Sequence, residues 1–243
     1  MEFFEDSYSH QFIVTNGINL HVVLAGPEEG EMVIFLHGFP EFWYGWRDQI
    51  DFFSEQGYRV VVPDQRGYNL SDKPRRTRDY DIGALGCDIV GLIDHFGKDN
   101  VILAGHDWGA SVAWWTAIQH SDRIKKLAIL NVPHPAMMRE NLFKNWSQVK
   151  RSWYIFFFQL SWMPEWFMSH DDFETAIKSI SGKYELTSTD IERYKEAWGR
   201  PRAVKSMINW YRAAFRSMKK AKGKGYVTCL LYTSPSPRDG LLY

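Results

Sequence analysis

The chain has 243 residues, 45% of them hydrophobic, enough to bury one sizeable core. Lysine plus arginine and aspartate plus glutamate each total 29, so the formal net charge is zero. That leaves no electrostatic case for nucleic acid or an anionic membrane as partner. The two cysteines, Cys87 and Cys229, make neither a disulfide framework nor a metal-ligand cluster. The acidic start, residues 2–6, lacks the basic region and apolar core of a signal peptide. The densest apolar stretch, residues 153–163, is too short to span a bilayer. The expectation is a soluble cytoplasmic protein that engages no membrane. The aromatic share of 16%, with 11 tryptophans, suits an apolar pocket and an aromatic-rich core equally.

In chain order, residues 12–14 and 18–25 flank Asn16-Gly17, the strongest short signal for a hairpin. Residues 32–36 are an unbroken apolar run, as in a strand buried on both faces. It ends in His37-Gly38-Phe39-Pro40. Helical spacing of Trp43, Trp46, Ile50 and Phe53 predicts a helix over 42–56, stopped by Gly57. Residues 58–63 predict a strand leading to a turn-rich loop, 64–74. Ile82, Leu85, Ile89, Leu92, Ile93 and Phe96 trace one face of an amphipathic helix. A strand over 101–104, a helix over 109–120 and a strand over 124–130 follow. This alternation predicts an α/β fold with a doubly wound, mostly parallel sheet. Ligands of such sheets sit beyond the carboxyl ends of the strands, where His37, Asp64, Asp107 and Asn131 all fall.

After Pro135 the rhythm changes. Residues 136–218 are helical by pattern and dense in Trp, Tyr and Phe, which predicts a helical lid over a core of residues 1–135. Residues 219–225 are basic and turn-like, 226–232 could form a short strand, and 233–240 are Pro/Ser-rich without periodicity.

The chemistry centres on Gly105-His106-Asp107-Trp108-Gly109. A strand, a small residue, a nucleophile flanked by one residue on each side, another small residue and a helix make up a nucleophile elbow. The turn is too tight for side chains two before and two after its centre, and both are glycine. A carboxylate at the centre can attack an electrophilic carbon and form an alkyl ester. The plainer alternative is a glycine-bounded turn whose aspartate caps the helix. Hydrolysing such an ester needs oxyanion donors. In this topology they are the backbone N–H groups of Trp108 and Phe39, with both rings at the pocket wall. An ordinary strand-to-helix connection would leave His37-Gly38-Phe39-Pro40 without that role.

Together with Glu41-Phe42-Trp43, Asp64-Gln65-Arg66-Gly67-Tyr68 and Asn131-Val132-Pro133-His134-Pro135, these motifs resemble the α/β-hydrolase fold epoxide hydrolases, in order from about Val14 to about Phe215. The resemblance implies opening of an epoxide to a vicinal diol through an Asp107 ester. The substrates are a small apolar epoxide and water, and no cofactor or metal is required. It also implies two lid tyrosines that hold the epoxide oxygen. Tyr154, in Trp153-Tyr154-Ile155-Phe156, is similar to the first, and Tyr211, in Asn209-Trp210-Tyr211-Arg212, to the second. Phenols donate to the alkoxide and then protonate it. Taken singly, each tyrosine would more often be an amphipathic core residue.

His106, Arg66 and His134 are expected to pack and brace loops. Family members carry a triad acid and a late histidine beyond the lid. None of the eight histidines here lies after His170. Residues 227–239 resemble read-through sequence, so the last core strands are expected to be missing and the ester to stall. Haloalkane dehalogenases share the Asp-Trp elbow but tend to carry asparagine where Phe39 stands. They remain an alternative, as does a non-catalytic ligand-binding relative.

Overall fold

A computed structural model of the chain describes residues 8–137, 153–181 and 186–220. Its sheet has six strands in the order β1-β2-β4-β3-β5-β6. β1 (Ser9–Thr15) and β2 (Ile18–Ala25) form the hairpin that Asn16-Gly17 predicts. Thr15 faces Ile18 across a two-residue turn, with φ of 47° and 74° at Asn16 and Gly17. Those two residue types tolerate such values.

β3 (Met32–Leu36) is buried at every position and parallel to both neighbours, β4 (Arg59–Pro63) and β5 (Val101–His106). β4 is antiparallel to β2, and β6 (Ile124–Leu130) is parallel to β5. The sheet is therefore mixed, with a parallel half that carries the strand ends of interest. From β3 the chain winds first to one side, to β4, and then to the other, to β5. The switch point of the topology lies between β3 and β5, where open α/β sheets bind ligands.

Two helices of this half follow the predicted periodicity: α2 (Ile82–His95), capped by the Asp81 carboxylate on the Gly83 N–H at 3.1 Å, and α3 (Trp108–Gln119). The helix expected over 42–56 begins differently. Trp43–Trp46 is a 3-10 turn, and α1 (Arg47–Glu55) starts after it. Trp43, Tyr44 and Trp46 are all buried, and the Trp43 N–H donates to the buried Asp64 carboxylate at 3.1 Å. A regular amphipathic turn cannot bury three of four successive residues, so the chain tightens there instead.

From Trp153 onward every regular element among the described residues is helical: α4 (Trp153–Phe157), α5 (Met163–Ser169), α6 (Glu174–Ile180), α7 (Ser188–Gly199) and α8 (Ala203–Lys220). α7 opens with a capping box between Thr187 and Asp190. α8 is buried all round from Ser206 to Ala213, because it is wedged between the loops of the sheet and the other helices. Residues 138–152 of the expected lid, and the short strand expected over 226–232, lie outside the described residues. No described helix is long and apolar enough to cross a membrane.

Candidate active site

Loops at the carboxyl ends of four strands meet and bond to one another. After β3, the His37 ring accepts the Gln65 N–H at 3.0 Å on Nε2 and donates from Nδ1 to the Gly38 carbonyl at 3.1 Å. The Gln65 amide returns a bond to the His37 carbonyl. Next in the chain, the Phe39 N–H donates to Asp107 Oδ2 at 3.0 Å. The Asp107 N–H donates in turn to Asn131 Oδ1 at 3.1 Å, and the Asn131 amide reaches His106 Nε2 at 2.9 Å. Four loops distant in sequence thus form one hydrogen-bonded rim.

Asp107 stands between β5 and α3 with φ 51° and ψ −119°, a left-handed conformation that is strained for a residue with a side chain. Close packing around it demands glycine at two points. A Cβ on Gly109 would lie 2.2 Å from the Leu36 carbonyl oxygen, and one on Gly38 would lie 2.5 Å from the Asp107 Cβ. Trp108 is the first residue of α3, where backbone N–H groups have no partner within the helix.

Below the rim, Asp64 is fully buried. It bonds His21 Nδ1 at 2.7 Å, the Asn69 amide at 2.8 Å and the Trp43 N–H. Burial pushes its carboxyl up, but His21 and the other donors outweigh that and hold it below the usual range. Arg66 grips Asp88 with two bonds, at 2.7 and 2.8 Å, bracing the loop to α2. Glu41 also stands close enough to Asp107 to sense its charge. Burial raises its carboxyl pKa, His106 opposes the rise and Asp107 adds to it.

Two helices bring the tyrosines over this rim. Tyr211, on α8, is 7% exposed and sits in an aromatic box. Its ring centroid lies 5.0 Å from Trp108, 5.1 Å from Phe39, 4.8 Å from Phe158 and 5.9 Å from Tyr154. Its hydroxyl hydrogen-bonds the Trp108 side chain. Burial, then the Asp107 charge, pushes the Tyr211 phenol well above its ordinary value. Tyr154, on α4, is 38% exposed, and its phenol is raised by the same two causes in the same order. Both hydroxyls are therefore proton donors at neutral pH.

The residue after Tyr211 ties the two helices together. Arg212 donates to the Phe158 carbonyl at 2.9 Å and to the Leu160 carbonyl at 2.6 Å, and it pairs with Glu165 at 2.6 Å. All five residues singled out from the sequence, Asp107, Phe39, Trp108, Tyr154 and Tyr211, thus converge on one rim. Two more residues hold this region, Asn131 at the rim and Arg212 behind Tyr211, and Trp198 on α7 bonds the Pro40 carbonyl next to Phe39. The place of Asn131 at a strand end was visible in the sequence, whereas no local pattern marks the other two. No group of three or more metal-ligating side chains occurs among the described residues.

A family model described as alpha/beta hydrolase fold matches residues 31–161. The AB hydrolase superfamily protein YfhM of Bacillus subtilis is 48% identical over 211 residues, 86% of this chain and 74% of its own length. Epoxide hydrolase 1 of Caenorhabditis elegans is 37% identical over 88% of this chain, which spans only 55% of that protein. Among solved structures, a Bacillus megaterium epoxide hydrolase in complex with an inhibitor is similar with a TM-score of 0.77 and 39% identity, over 84% of this chain and 71% of that one.

Proposed function

The chain belongs to the α/β-hydrolase family, among its epoxide hydrolase-like enzymes, and from that premise we propose that it opens epoxides by covalent attack from Asp107. The observation that carries this is the placing of one carboxylate and two protonated phenols on a single rim. Phe39 holds Oδ2, which leaves Oδ1 free to attack a ring carbon. As the new C–O bond forms, the ring C–O bond breaks and its electron pair stays on the epoxide oxygen. Tyr211 and Tyr154 hydrogen-bond that oxygen, and one of them gives it a proton, leaving a hydroxyalkyl ester on Asp107. Water attacking the ester carbonyl would develop an oxyanion that the Phe39 and Trp108 N–H groups can hold. Residues 136–218 serve as a lid that excludes bulk water from the rim.

The test is covalent trapping with styrene oxide. The 243-residue polypeptide is expected to gain the mass of one epoxide, mapped to the peptide holding Asp107 and accumulating rather than turning over. Asp107→Asn should gain none. Tyr211→Phe is expected to slow the gain about a hundredfold and Tyr154→Phe about tenfold, since the buried phenol acts in the drier environment. Reversible binding with no mass change would favour a ligand-binding protein. Halide release from a haloalkane, unaffected by either tyrosine change, would favour a dehalogenase.

A further inference from the structure

The short turn that carries the Phe39 N–H is held from two sides. Gly38 to Glu41 closes on itself through the Glu41 N–H and the Gly38 carbonyl, 3.0 Å apart. Toward the sheet, the Phe39 N–H reaches Asp107. Toward the helices, the carbonyl of the following residue, Pro40, accepts the indole N–H of Trp198 on α7 at 2.6 Å. This bond joins residues 158 apart in sequence and is buried, with Trp198 only 3% exposed. The indole is packed against Tyr194 and Phe173, which fixes its direction. α7 has its own anchors: the Tyr44 hydroxyl donates to Asp190 at 2.7 Å, and the Arg200 guanidinium donates to Asn69 at 2.9 Å.

Adjacent residues carry the backbone group that touches the nucleophile and the one that touches α7. A four-residue turn closed by its own hydrogen bond moves as a unit, so displacing the Pro40 carbonyl re-aims the Phe39 N–H. Misplacing a catalytic contact by about 1 Å can cost as much as a hundredfold in rate. We propose that Trp198 is a positioning residue, whose indole N–H holds the Pro40 carbonyl and so aims the Phe39 N–H at Asp107. Ring opening is thereby coupled to the seating of α7. The inference rests on Asp107 acting as the nucleophile.

Single-turnover alkylation of the 243-residue chain by styrene oxide, followed by intact mass over a range of epoxide concentrations, tests it. Trp198→Phe keeps a ring and loses the N–H. Its limiting rate should fall about tenfold while the half-saturating concentration stays within about twofold. Tyr44→Phe removes a different bond between α7 and the sheet side. It should lower the melting midpoint and leave the limiting rate unchanged. If Trp198→Phe fails to fold, replacing the indole by the isosteric benzothiophene, which has no N–H, makes the same measurement. A wild-type limiting rate without the N–H, or equal slowing by Trp198→Phe and Tyr44→Phe, overturns the proposal. Absence of any adduct on wild-type Asp107 would instead remove the nucleophile assignment, and the positioning role with it.

Discussion

At the scale of single residues, His37 shows how a side chain outside the chemistry can set the conditions for it. Both its ring nitrogens are engaged in the neutral form, Nδ1 as donor and Nε2 as acceptor. A second proton would set an N–H against the Gln65 N–H. Burial lowers its pKa to about 4, with Asp64 pulling the other way. In the unfolded chain the same group titrates near about 6.5. Between those values the unfolded state binds a proton that the native state does not. Stability is therefore full above about pH 6.5 and is lost as the pH falls toward about 4, by about 3 kcal/mol from this group alone. Urea denaturation at pH 7 and pH 4.5 should show the loss, with a smaller difference in His37→Gln. Equal differences in the two proteins would place the proton uptake elsewhere.

At the scale of elements, the turn from β5 into α3 around Asp107 is tightly constrained, and its constraint is steric. With Gly109 packed on the Leu36 carbonyl, Gly109→Ala must push β3 and α3 apart. The expected cost is about 2–3 kcal/mol, read as a lower melting midpoint, with alkylation of Asp107 lost in step. Such local grammar was legible in the residues. Asn16-Gly17 specified its hairpin, the apolar runs specified β3 to β6, and two glycines around Asp107 marked the strand-to-helix turn. Contacts that span the chain were not legible. Asn131 reads from the sequence only as a residue at a strand end, yet its side chain receives the Asp107 N–H, from a left-handed backbone of φ 59° that asparagine tolerates. The Trp43–Trp46 turn departs from helical periodicity where the Trp43 N–H is tied to Asp64, in the loop after β4. Nothing in the spacing of Trp198 or Arg212 foretold a partner, since a bond to a distant carbonyl leaves no period.

At the scale of the whole molecule, the helices from Trp153 onward are bonded to the sheet loops at many separate points. The Trp210 indole donates to the Arg66 carbonyl at 2.9 Å, Ser217 bonds Asp81 at 2.5 Å, and Trp198, Tyr44 and Arg200 add the α7 contacts. Phe39 and Trp108 bury their rings against Tyr211 across the same boundary. These shared contacts predict one cooperative transition, with backbone and aromatic circular dichroism melting at the same midpoint; two separated midpoints would show the helices unfolding on their own. The ladder of the sheet has a quieter consequence. Leu36 pairs directly with Gly105, so the turn bearing the Phe39 N–H and the turn bearing Asp107 spring from adjacent strands. The strand ends from which they spring are therefore held at the interstrand spacing of about 4.8 Å. β4 and α2 lie between them in sequence but not in space, and the exposed Arg75 and Arg76 lie along that detour. Insertions or drift there can remodel what surrounds Asp107 over evolutionary time while the strand ends beneath it and beneath the Phe39 turn stay side by side.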